Sequence, residues 1–399
     1  MPPMRILHLL DPAHCADEGL LACAASQRTI TSAQHHTWII GTQANEDRCW
    51  SYGILTTDRV SPRRSLPLTR DCVVLSLRRL RAARERAGAG AGAPDLIQCW
   101  SLDALHIARA VFGTGPGSPA RSAVIARPPL AAQRSHASDS DLATGREVLL
   151  AYDHPTRHAL AQLLSRDGPS AANRWLPTIR LIAPPAFEHG GPIALDRAAL
   201  RLTLGLKPAD TAIALLADPP SLGDAHRMCF ALGVLRAVGH RTVLLLRRGA
   251  RHDRRAAAYL GAHSRRWGLV IADLSLPQIA TVADLAVIDN IPHPDGTTSP
   301  TCGPVGAALS LSMSLPIATF PGVLPHWPVL SAPSSSLGRI AIPISNYLEN
   351  PQARTDSGAS ARGFCDRARA ARGFETTLAA VWREQLNVPS AGPAAALIR

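Results

Sequence analysis

Lysine is nearly missing from this chain of 399 residues: Lys207 stands alone, and every other of its 42 basic residues is arginine. The formal charge of +12 therefore reflects arginine usage along the whole chain rather than a patch built to follow a nucleic-acid backbone, and no nucleic-acid partner is expected. The two densest basic runs, residues 78–86 (RRLRAARER) and 247–255 (RRGARHDRR), are short and lie beside helix-like segments, so they read first as solvated helix faces. A basic surface of this kind also suits peripheral contact with an anionic membrane. The eight cysteines form no C-x-x-C pair and share no zinc-type spacing with histidine, which excludes the common structural zinc sites and predicts reduced thiols in a cytoplasmic protein. No metal and no cofactor are expected. Nothing approaches the roughly eighteen apolar residues of a transmembrane segment, and the early run ILHLL stops at Asp11, too short for a signal peptide. With no G-x-S-x-G anywhere, His189-Gly190-Gly191 does not announce an esterase-like hydrolase.

Hydrophobic residues, at 46%, are plentiful enough for more than one core, and the length predicts two domains. Short apolar runs alternate with helical stretches throughout, the pattern of βαβ units in parallel sheets. Strands are expected at residues 5–10, 37–40, 51–55, 95–99, 123–126, 148–152 and 179–183, and again at 212–217, 242–246, 269–272, 285–288 and 316–319. Helices are expected at 18–34, 73–87, 103–112, 155–164, 222–238, 253–267, 277–282 and 305–314, with a closing helix over 361–386. The tract PPAFEHGGPI breaks the alternation with prolines and glycines and reads as a linker. The expected division is a domain over 1–184, a linker over 185–196, a second domain over 197–360, and over 361–399 a helix that crosses back, with a tail.

Several segments, in order and spacing, resemble the retaining GT-B glycosyltransferases of the group 1, family 4-like type. MRILHLL is similar to their opening strand, DLIQCWS to their fourth-strand turn and IRLIAPPAF to their entry to the linker. RLTLGLKPADTAIALLA resembles the start of their second domain, ADLAVIDN with GAALSLSMSLPIATF their donor-site strand, helix and strand, and SNYLENPQAR with RGFETTLAAVWREQL their closing helices. The resemblance implies an α/β fold of GT-B type, two doubly wound Rossmann-like domains facing across a cleft. It implies transfer of a sugar from a nucleotide-sugar donor to an unnamed glycan, lipid or small-molecule acceptor; the alternative is a catalytically inactive GT-B protein acting as a binding or scaffold module.

The chain departs from that family where charge is needed. Cations near the diphosphate stabilise the leaving group, yet the stretch after the first strand of the second domain reads Ala217, Asp218, Pro219, Pro220, Ser221, Leu222, Gly223. The family's glutamate pair falls on Thr301 and Leu309, and Arg127 takes the position resembling its active-site histidine. Candidate donor-binding residues are then Arg247 and Arg248, which end a strand and can substitute for the missing cations, and Ser299, Thr301, Gly303 and Gly306 of the loop SPTCGPVG, which offers amides and a hydroxyl at a helix start. Asp289 and Asp295 either contact a sugar hydroxyl or cap their turn. Cys302 reads as a buried thiol, and His35 and His36 as turn residues.

Overall fold

A computed structural model of the chain describes residues 5–10, 34–40, 58–60, 94–114, 118–125, 146–152, 154–165, 175–185, 187, 195–218, 222–252, 254, 256, 258, 268–292, 298–324 and 327–387. The contacts divide it into two units: unit 1 is Met1–Pro184 with Gly373–Arg399, and unit 2 is Pro185–Arg372.

Among the described residues unit 1 holds seven strands, β1 (Arg5–Leu10), β2 (Gln34–Ile40), β3 (Asp58–Val60), β4 (Leu96–Cys99), β5 (Ala120–Ile125), β6 (Glu147–Ala151) and β7 (Ile179–Leu181). They lie in the order β3-β2-β1-β4-β5-β6-β7, all parallel. This is the doubly wound order, with a switch point between β1 and β4. Strands such as LIQC and EVLLA are buried along their whole length, as expected where both faces of a parallel sheet are covered. Helix α1 (Leu102–Phe112) starts at Ser101, whose side chain accepts from the Ala104 amide, and brings Leu105, Ala108 and Val111 onto Leu7, Leu9 and Ile97. Helix α2 (His154–Leu164) adds Leu160 and Leu164.

Unit 2 repeats the plan. Helix α3 (Arg197–Thr203) precedes β8 (Thr211–Leu215), α4 (Ala225–Ala237), β9 (Thr242–Arg247), β10 (Leu269–Ala272), α5 (Leu276–Val282), β11 (Leu285–Ile288), β12 (Asn290–Pro292), β13 (Thr298–Pro300), α6 (Pro304–Ser312), β14 (Ile317–Thr319), β15 (Leu330–Ser331), α7 (Ala341–Glu349) and α8 (Pro351–Ala371). The six-stranded parallel sheet runs β10-β9-β8-β11-β14-β15, the same doubly wound order, while β12 and β13 form a separate antiparallel hairpin. The chain then closes unit 1 with α9 (Gly373–Asn387).

That helix meets β4 and β5 through a buried polar network. Trp382, 1% exposed, donates its indole N–H to Gln98 Oε1 at 3.0 Å, and Gln98 Oε1 also accepts the Ser122 hydroxyl. Gln385 donates its amide to the Arg121 and Arg146 carbonyls. Trp100 donates to Nδ1 of the buried His8 at 3.3 Å, with Trp382 edge-on to the same ring. Buried polar groups on a sheet are tolerated only when partnered in this way.

Where one closing helix over 361–386 is expected, two are found. Arg372 adopts a left-handed conformation, φ 44°, which ends α8, and Gly373 opens α9. Helix α8 begins ten residues earlier than expected, at the Asn350-Pro351 pair, where the Asn350 side chain accepts from the Gln352 and Ala353 amides. His35 and His36 lie within β2 rather than in a turn. The helices expected over 18–34 and 73–87, the strand over 51–55, most of the helix over 253–267 and most of the linker fall outside the described residues.

Candidate functional site

In a doubly wound sheet, ligands sit outside the carboxyl ends of the strands where the order reverses. In unit 2 that point lies between β8 and β11. Beyond β8 the chain passes Leu216, Ala217 and Asp218, and beyond β11 it reaches Asp289. The β12–β13 hairpin then folds back and delivers Thr301 beside Asp289.

Thr301 is a clamp. Its hydroxyl donates to the Leu216 carbonyl at 2.7 Å and accepts the Asp289 amide at 3.0 Å. Its own amide donates to the Asp289 carbonyl at 2.8 Å, and its carbonyl accepts the Asp218 amide at 2.9 Å. At 1% exposure the side chain is enclosed by the backbone it joins. Arg247 has a comparable role among β8, β9 and β10. It is 3% exposed; Nε donates to the Leu274 carbonyl at 2.9 Å, and NH1 donates to the Ala217 carbonyl at 3.0 Å and lies 3.6 Å from Asp218 Oδ1. Arg248, one residue on, is exposed.

Gly303 is the N-cap of α6 and offers no capping side chain, and Pro304 at the first helical position has no amide. A Cβ on Gly306 would stand 2.5 Å from Cys302 Sγ and 3.7 Å from Asp218 Oδ2, so packing alone requires glycine there. Cys302 is a buried thiol. Ser299 belongs to β13 and pairs with Ile291. Arg127 and Asp295 lie outside the described residues.

Asp289 is 2% exposed, its Oδ2 3.0 Å from Arg227 Nε and its Oδ1 accepting the Asn290 amide at 2.7 Å. Burial raises its pKa above the usual carboxylate value, and the Arg227 guanidinium and the Asn290 N–H only partly offset this. Asp224 caps α4 by accepting from the His226 and Arg227 amides, and sits 3.3 Å from His252 Nδ1. Burial pushes its pKa up, but the His252 hydrogen bond and the two amides outweigh it, and the group lies below the ordinary range. The chain beyond β9 is tied in through a parallel bridge between Asp224 and Arg251, an exposed residue.

Thus Asp289, Thr301, Arg247, Gly303 and Gly306 gather around the β8–β11 edge. In the sequence Asp218 reads only as a place where a cation is missing, and Arg251 and His252 only as part of a basic run; Asp224 and Arg227 are not singled out. Arg227 carried a signal: it stands three residues after the N-cap aspartate, on the first turn of a helix that begins at the carboxyl edge of the sheet.

No protein-family model matches the chain, and no curated protein matches it. Solved structures do. A glycosyltransferase from Rickettsia africae ESF-5 aligns over 97% of this chain and 100% of its own at 10% identity, with a TM-score of 0.63. The pneumococcal O-GlcNAc transferase GtfA, solved with UDP and GlcNAc, aligns over 97% and 100% at 8% identity and TM-score 0.62. Anabaena Alr3699/HepE, solved with UDP, aligns over 97% and 100% at 15% identity and TM-score 0.59. The fold is GT-B, two Rossmann-like α/β domains, and it resembles that of glycosyltransferases. Among the described residues no helix is long and apolar enough to cross a membrane.

Proposed function

We propose that the protein is a divergent glycosyltransferase that holds a nucleotide-sugar donor at the carboxyl edge of unit 2 and transfers the sugar to an acceptor yet to be named. The observation that carries this reading is the pair of cations exposed just beyond β9, Arg248 and Arg251, near Arg227 on the first turn of α4, which is ion-paired with Asp289. Guanidinium groups suit a diphosphate because they bind its oxygens in pairs. Arg247 then acts from behind, fixing the backbone that carries Arg248 and Arg251. Fold neighbours solved with UDP support a nucleotide as the ligand class. The test is calorimetry and thermal shift with UDP, GDP, TDP and ADP and their sugars. One nucleotide is expected to stabilise the protein, and Arg248→Ala with Arg251→Ala to abolish that effect; no binding to any of them overturns the proposal.

A second reading, binding without turnover, is favoured by one observation: Thr301 and Arg247, the groups nearest the switch point, are engaged by the protein's own backbone. It predicts nucleotide binding with no release of diphosphate from any nucleotide sugar, measured with and without candidate acceptors.

A further inference from the structure

We infer that the outer face of α4, with the start of α7 beside it, is a docking surface for an anionic lipid bilayer. Nucleotide binding at the carboxyl edge of unit 2 plays no part in it.

Helix α4 is apolar on two opposite sides. Its inner face buries Met228, Ala231, Leu232 and Leu235. On the outer face Phe230, Gly233, Val234, Ala237 and Val238 recur at steps of three and four, and none of them is buried. A helix at a protein surface ordinarily turns polar or charged residues outward. Across these turns the outer face of α4 carries none. Phe230 is 57% and Val238 62% exposed. The surface continues sideways: a Cβ on Gly338 would stand 3.4 Å from the Phe230 ring, and the turn over 337–340 leads directly into α7, which puts Ile342, 40% exposed, one helical turn further on. Beyond the other end of α4, His240 meets the Ser345 hydroxyl at 2.8 Å. Helices α4 and α7 thus lie side by side and hold three of the six large apolar side chains exposed among the described residues. Apolar side chains grouped in this way mark an interaction surface, whereas the same residues scattered singly would not.

The charge around the patch selects the partner. Arg339 and Arg241 are exposed at its margins. Glu349 and Asp210, carboxylates at the same margins, are held by basic side chains, His240 at 3.2 Å and Arg241 at 3.3 Å. A chain of net charge +12 repels a second copy of itself and is drawn to anionic phospholipid, and an apolar strip flanked by arginine suits the boundary between headgroups and acyl chains.

The test is flotation of the full chain with vesicles of phosphatidylcholine alone and of phosphatidylcholine with about 30% phosphatidylglycerol. Binding is expected to the second kind only, and to weaken several-fold in about 0.5 M NaCl. Phe230→Ser with Val238→Ser should lower it at least about tenfold through the apolar area lost, and Arg339→Gln about fivefold. If the double variant does not fold, Val238→Ser alone is measured, with a several-fold loss expected. Equal vesicle binding by the variants and the unmodified protein overturns the inference, because the lipid is then held elsewhere. Binding to neither kind of vesicle also overturns it. Self-association that Phe230→Ser abolishes, with no vesicle binding, assigns the face to a second copy of the chain instead.

Discussion

Replacing Thr301 by valine keeps the shape of the side chain and removes its hydroxyl. Two backbone groups then lose a partner in the interior: the Leu216 carbonyl, which accepts at 2.7 Å, and the Asp289 amide, which donates at 3.0 Å. An orphaned buried polar group costs about 1–3 kcal/mol, so the pair costs roughly 2–6 kcal/mol. For a unit of this size that corresponds to a fall of about 4–24 °C in melting temperature. Thr301→Ser keeps the hydroxyl and loses a methyl group, a change of about 1 kcal/mol. Differential scanning calorimetry of the full chain is the suitable assay, since two units need not melt as one two-state system and the lower transition can be followed separately. A valine variant within about 0.5 kcal/mol of the unmodified protein would refute the clamp. So would a serine variant as damaged as the valine one. If Thr301 acts instead as a sugar ligand, valine leaves stability intact and weakens donor binding.

Cys229 gives a pH prediction. Burial, with a smaller contribution from Asp224, raises its thiol to about 11 from the model-compound 9.0. The folded protein keeps this proton where the unfolded chain loses it, so the contribution is complete below pH 9 and is lost as pH rises towards 11. The loss is about 2–3 kcal/mol, measured as the difference in urea unfolding between the protein and Cys229→Ala at pH 8 and pH 11; identical pH profiles would contradict it. Gly268→Ala is expected to cost well over the ~1 kcal/mol of a strained left-handed alanine, because its Cβ would stand 2.6 Å from the Thr242 carbonyl. Gly249→Ala, also at positive φ but with nothing within 4 Å, serves as the control in the same thermal scans. Trp382→Ala should cost about 3–5 kcal/mol in unit 1 and make α9 sensitive to limited proteolysis; an unchanged digestion pattern would argue against the docking network.

The doubly wound plan was legible because strands such as β10 and β11 are uninterrupted apolar runs. Leu269–Ala272 and Leu285–Ile288 have the same bounds in sequence and structure, and neither contains a turn residue. The β12–β13 hairpin was not legible: Pro292 and Pro300 sit in three-residue strands, where proline ordinarily argues against a strand. The break at Arg372 was hidden for a related reason, since the left-handed residue is arginine and the glycine follows it. At the site, Asp218 reads in sequence only as a cation that is missing, and its ion pair with Arg247 emerges when β8 and β9 are laid side by side. Thr301 is recognisable as a polar residue near a helix start, but its partners at Leu216 and Asp289 come from two different strand exits that only the fold brings together. The His8, Trp100 and Trp382 cluster joins opposite ends of the chain and has no local signature.

The place of α9 has a consequence for biosynthesis. A ribosome emits the strands of unit 1 first, then the roughly 190 residues of unit 2, and only afterwards the helix that covers β4 and β5. At 5–20 residues per second the nascent sheet waits about 10–40 s with Gln98 and the Arg121 and Arg146 carbonyls lacking the partners that Trp382 and Gln385 supply. Unit 2, continuous in sequence, can collapse during that interval. Completion of unit 1 is therefore a late event, and the nascent chain depends on whatever shields that unfinished face until α9 emerges.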